Sequence, residues 1–204
     1  AWFNDASGNY RMIVADQYGK NQKEYELPNP TFYFTPDWSP NGKYIAYTDT
    51  DYNIWIINLE NGNVKKADTD RFAHPNRAMN PVWSPDSKWI VYARQLENSF
   101  KAAFVYNVET DQRVQITDGM ADVQTPVWDQ SGKYLYFLAS TNYGLQTGWL
   151  DMSSYDPSAT YSLYCMILSK DGSSPIMVKS DEEEVKKETP KAEPAKKSKK
   201  SKKA

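Results

Sequence analysis

Three segments of this 204-residue chain share one pattern: PDWSPNGKYIAYTD from Pro36, PVWSPDSKWIVYAR from Pro81 and PVWDQSGKYLYFLA from Pro126. Their tryptophans, Trp38, Trp83 and Trp128, stand 45 residues apart each time. A fixed period of that size marks a repeat architecture, in which each unit buries its apolar surface only against its neighbours. After each tryptophan comes turn chemistry. Ser39-Pro40-Asn41-Gly42 puts Ser, Pro, Asn and Gly where a type I turn favours them, and Asp129-Gln130-Ser131-Gly132 keeps both ends of that pattern. The segments that follow, KYIAYT, KWIVYA and KYLYFLA, are β-branched or aromatic and apolar at odd and even positions alike, as strands covered on both faces are.

The rest of each period supplies two more strands. NIWIINLE leads through Asn61-Gly62-Asn63 to VKKAD, and AAFVYNVE leads through Thr110-Asp111 to RVQIT. These are hairpin signals at regular spacing, and no 3.6-residue periodicity competes with them. Each period is therefore a four-stranded meander, which is the description of a β-propeller blade. The expected fold is all-β: a β-propeller fragment of about three and a half four-stranded antiparallel blades. A partial blade without its opening strand occupies residues 1–30, and blades follow at 31–70, 76–118 and 122–179, the last with an insert at 140–160. Three and a half blades cannot close a ring of typically four to eight, so a longer parent propeller is expected.

Composition changes at Asp181. From there to Ala204 nine lysines face six acidic residues, with Val185 the one large apolar side chain. Such a segment cannot bury enough surface to offset its ordering entropy, and 181–204 reads as a disordered Lys/Glu-rich spacer. It carries +3 and the remainder −5. An acidic globular part, with no arginine or aromatic residue among the tail lysines, speaks against nucleic acid as a partner. No apolar run approaches the roughly 18 to 20 residues that cross a bilayer, and the chain opens on Ala1-Trp2 without a leader, so a soluble chain with a cut N-terminal edge and no membrane partner is expected. The single cysteine, Cys165, sits in YSLYCMIL and reads as a small buried hydrophobe.

Catalytic text is missing. There is no G-x-S-x-G elbow, no H-E-x-x-H, no glycine-rich phosphate loop and no paired-cysteine motif. His74, the one histidine, lies in the loop FAHPNR and reads as structural or exposed rather than as a base. DTDYN at Asp49–Asn53 resembles the opening of a calcium loop but lacks its glycine and distal glutamate, which favours a hairpin turn. The expected catalytic, cofactor-binding and metal residues are thus none. Trp38, Trp83 and Trp128, recurring once per blade, are expected in the inter-blade core. The irregular insert STNYGLQTGWLDMSSYDPSATY breaks the rhythm and is the better candidate for contacts.

The repeats WSPNGKYIAYTD and WSPDSKWIVYAR are similar to those of TolB-type and tricorn-type propellers. The succession DTDRFAHPNRAMNPVWSPDSKWIVYARQL, TDGM, LASTNYG and GWLDMSSYDP, followed by the charged SDEEEVKKE, resembles the propeller region of bacterial tricorn protease homologues over Trp2 to Glu188. That resemblance implies a cytoplasmic serine peptidase whose propellers channel peptides to a catalytic core outside this chain. Its implied partners are peptide substrates, further blades, PDZ-like and catalytic domains, and other copies of the parent in a homo-oligomer. A periplasmic setting is the alternative location. Two other classes share such blades: a non-catalytic TolB- or WD-like protein-binding propeller, and the propeller of a prolyl-oligopeptidase-like hydrolase.

Overall fold

The computed structural model describes residues 1–72, 79–143 and 159–177. Within the compact unit Ala1–Gly172, the described strands form four antiparallel sheets, each a meander in chain order, with no helix among the described residues. The first holds β1 (Trp2–Asn4), β2 (Arg11–Val14) and β3 (Lys23–Glu26). The second runs β4 (Tyr33–Trp38), β5 (Tyr44–Asp49), β6 (Asn53–Asn58) and β7 (Val64–Thr69). The third runs β8 (Val82–Trp83), β9 (Trp89–Gln95), β10 (Lys101–Asn107) and β11 (Arg113–Gln115). The fourth shows β12 (Asp122–Trp128), β13 (Tyr134–Ser140) and β14 (Ser162–Ile167). A fourth strand for this last sheet, expected before Lys179, is not among the described residues, and the expected spacer at 181–204 lies outside them.

The turn after each repeated tryptophan forms where its sequence places it. Gly42 donates its N–H to the Ser39 carbonyl at 2.8 Å, Ser87 to that of Ser84 at 2.9 Å and Gly132 to that of Asp129 at 2.9 Å. The donor sits each time in the left-handed region, with φ of 70°, 63° and 68°. Glycine adopts that conformation freely, whereas Ser87 holds it against the steric preference of an L-residue.

Alternation along the middle strands explains their doubly apolar composition. On β5 and β6, Ile45, Tyr47 and Ile57 pack toward the first sheet with Met12 and Phe3, while Ala46, Ile54 and Ile56 pack toward the third with Trp83, Ile90 and Tyr92. The third sheet repeats the arrangement. Phe104 and Tyr106 of β10 join the second sheet's cluster, and Ala103 and Val105 face Val123, Leu135 and Phe137 of the fourth. Since side chains alternate across a strand, a sheet covered on both faces must be apolar at every position, and the chain is an all-β stack of propeller blades.

The tryptophans do not share one environment. Trp83 is 6% exposed, Trp128 half-buried and Trp38 40% exposed, so the expectation of a buried core position fails at Trp38. The reason is a missing neighbour. Trp83 donates its indole N–H to the Asp37 carbonyl on β4 at 3.2 Å, and Trp128 donates to the Val82 carbonyl on β8 at 3.0 Å. Each indole thus docks on the opening strand of the sheet before it, and the three-stranded first sheet offers Trp38 no such strand.

Candidate functional site

Two kinds of inter-sheet link fix the geometry. The opening strands β4, β8 and β12 lie close enough for an indole to reach the neighbouring backbone directly. At the closing strands, the link runs from side chain to side chain rather than to backbone: Arg113 of β11 extends to Asp68 of β7, and Arg94 at the end of β9 joins it at 3.0 Å. The sheets are therefore wedges, with the opening strands at the narrow end.

That narrow end carries exposed side chains. Phe34, Thr35, Asp37 and Trp38 of β4, and Thr125 and Val127 of β12, are all exposed. Both strands bulge at the same repeat position, the register slipping between Phe34 and Asp37 and between Gln124 and Val127. Thr35 (φ 47°) and Thr125 (φ 44°) stand in the left-handed region, each just before a proline, which is doubly unfavourable for a β-branched residue. A bulge leaves one residue unpaired and re-aims the side chains around it. Strain of this kind persists only where surrounding structure enforces it.

Pro36, Pro81 and Pro126 occupy matching places one repeat apart, in or just before the opening strands. β4, β8 and β12 are also the edge strands of their sheets. Proline has no N–H to offer, so each edge is blunted where another chain would otherwise add as a strand.

The insert is anchored at its base. The Asn142 side-chain oxygen accepts the Thr160 N–H at 3.0 Å and the Thr160 hydroxyl at 3.2 Å, tying its two ends together. Below them the fully buried Asp122 carboxylate accepts the Tyr161 hydroxyl at 3.0 Å, Gln124 Nε2 at 3.1 Å and the Lys101 N–H at 3.0 Å. The interior of the insert, residues 144–158, and His74 lie outside the described residues. DTDYN is a hairpin turn. The Asp49 carboxylate is filled by the Asn53 N–H at 2.8 Å, the Asn53 amide at 2.8 Å and the Trp55 indole N–H at 2.7 Å. Cys165 is half-buried on β14 opposite Tyr136.

Sequence reading missed the cluster around Asp68. This carboxylate, with side-chain exposure of 2%, accepts the Tyr92 hydroxyl at 2.8 Å, Arg94 Nη1 at 3.0 Å and Arg113 Nη1. Burial, then the adjacent carboxylate, pushes the Tyr92 hydroxyl far above its ordinary pKa, so it stays a donor. A lone Asp in a closing strand with Arg113 one repeat later was the available signal.

The family profile described as the tricorn protease second beta propeller domain matches residues 1–203. Among solved structures, the tricorn protease superposes with a TM-score of 0.68 at 17% identity over 85% of this chain. TolB from Acinetobacter baumannii superposes with a TM-score of 0.50 at 18% identity over 80% of this chain. The chain spans 17% of the length of the tricorn structure and 36% of that of TolB. Comparison with curated protein sequences gives no match. Sheet order, repeat and profile agree, and the chain belongs to the family of tricorn protease second β-propeller domains.

Proposed function

We propose that this propeller segment screens polypeptides by width, passing extended chains along its narrow end toward a peptidase core located elsewhere in a longer protein. The observation that carries the reading is the blunted edge. A surface meant to hold a peptide as an added strand presents a free row of N–H and C=O groups. Here proline recurs in or just before β4, β8 and β12, and β4 and β12 are bulged, so an extended chain gains side-chain contact with Phe34 and Val127 without being locked into the ladder. The two-faced packing of the second and third sheets makes the scaffold stiff, which excludes a folded domain. Membership in the tricorn propeller family supplies the proteolytic context.

The test uses the full-length protein with Cys165→Ser and every other accessible cysteine replaced as background, and Thr35→Cys or Thr125→Cys as the attachment point. Coupling a bulky maleimide there is expected to slow cleavage of long unstructured polypeptides at least several-fold relative to the same unlabelled variant, while a tripeptide-sized substrate is cleaved at its former rate. Equal slowing of both substrates, or of neither, would overturn the proposal.

A further inference from the structure

The groove between the second and third sheets at their wide end holds a cavity of about 480 Å³, away from the opening strands. Its lining includes Arg71, Arg94 and Arg113 with one carboxylate, Asp68, giving a local charge of +2. Asp70 lies beside it without lining it, and its two oxygens accept the Phe72 and Gln95 N–H groups at 3.1 Å each. Even with Asp70 counted the balance is +1.

The two arginines are held in place yet incompletely used. Arg94 lies flat on the Phe104 ring, its guanidinium carbon 4.0 Å from the centroid, and reaches Asp68 through Nη1 alone. Arg113 likewise engages Asp68 through Nη1. Among the described residues, no protein acceptor meets the Nε and Nη2 groups of either, and Arg71 has no partner. Lys66 pairs with Trp55 on the opposite face of the sheet, its ammonium 5.8 Å from that ring's centroid, and contributes no charge to the groove. A guanidinium braced by a buried carboxylate and an aromatic face loses little further freedom when its remaining donors bind, which is the preorganisation that oxyanion sites use.

We propose that this groove binds a dianionic phosphoryl group. A carboxylate offers only two acceptor oxygens, whereas a phosphoryl group brings a charge of roughly −1.5 to −2 and three acceptor oxygens, enough to bridge Arg94, Arg113 and Arg71 together. The group could come from inorganic phosphate or from a phosphate monoester, and the geometry requires only the shared oxyanion.

Calorimetric titration of the full chain with inorganic phosphate, phenyl phosphate and acetate, at mildly alkaline pH and constant ionic strength, tests this. Expected is saturable binding of phosphate or its ester at one site per chain, weakened at least tenfold in the Arg71→Gln variant, whose melting temperature stays within a degree or so of the parent because that side chain does not brace the core. Tighter binding of phenyl phosphate than of phosphate identifies an ester as the source, and the reverse identifies the free ion. The proposal is overturned by acetate binding as tightly as either, by the absence of saturable heat with both phosphates, or by an affinity that the Arg71→Gln substitution leaves unchanged.

Discussion

The hydroxyl of Tyr92 donates to Asp68 across the joint between the second and third sheets, whereas Tyr47, one repeat earlier, has a buried hydroxyl without a partner among the described residues. The same residue type at the same place in two blades has opposite standing because the preceding sheet differs. Tyr92 meets a carboxylate on β7, and Tyr47 meets Met12, Phe3, Tyr33 and other apolar side chains.

Removing each hydroxyl should therefore have different effects. Tyr92→Phe strips one donor from a buried carboxylate that two arginines still hold, and should cost about 1–2 kcal/mol in denaturant unfolding. Tyr47→Phe removes an unsatisfied buried polar group and should leave stability unchanged or raise it by up to about 1 kcal/mol. Equal losses for the two would show that Tyr47 has an acceptor after all.

The tryptophans make a second contrast. Trp83, at 6% exposure, stacks on Tyr44 with ring centroids 6.0 Å apart and donates to Asp37, so Trp83→Ala should cost about 3–5 kcal/mol, the usual range for emptying a large aromatic site. Trp38, at 40% exposure, lacks the matching docking strand, and Trp38→Ala should cost about 1 kcal/mol or less. Melting curves of the two variants side by side decide it.

Alkali should unfold the protein before its core tyrosines titrate in the native state. Burial, followed by the nearby Asp49 and Asp51 carboxylates, raises the pKa of Tyr33 to about 12, and burial raises Tyr47, Tyr92 and Tyr106 further. In the unfolded chain these phenols lose their protons near pH 10, so between about 10 and 12 the native state binds more protons than the unfolded one and stability falls as pH rises. Below that window the contribution is fully present. The melting temperature should drop steeply across it, with the final part of the tyrosinate absorbance, that of the buried phenols, rising together with loss of sheet structure. Complete tyrosinate absorbance well before unfolding would contradict these positions.

What the sequence revealed follows the range of the interactions involved. The turns at Ser39, Ser84 and Asp129 close within four residues, and the two-faced apolar pattern of β5, β9 and β13 is written in the strands themselves, so the all-β propeller architecture was readable. The exposure of Trp38 was not, because an indole's burial depends on which strand the previous sheet presents. Neither was the Asp68 cluster, whose arginines are 26 and 45 residues away. In a repeat protein local code predicts each blade, while the joints depend on pairs one period apart that no short motif records.

Ser87 combines both levels and yields the sharpest prediction. The other two turns place glycine at this left-handed position, so a serine looks like a local error in the third sheet. Its hydroxyl, however, accepts the Asn41 N–H at 3.0 Å from the turn of the neighbouring sheet, joining the two turns across the groove. Ser87→Gly relieves backbone strain of about 1 kcal/mol but leaves the Asn41 N–H without its acceptor, a loss of about 1–3 kcal/mol where the group is shielded from water. The net change should be a small destabilisation. Ser87→Ala keeps the strain and loses the bond, and should be the less stable of the two by about 1 kcal/mol. Equilibrium unfolding of both variants measures the two effects separately. A glycine variant more stable than the parent would mean that the serine earns nothing from its neighbour and that the hydrogen bond between the turns contributes no net stability.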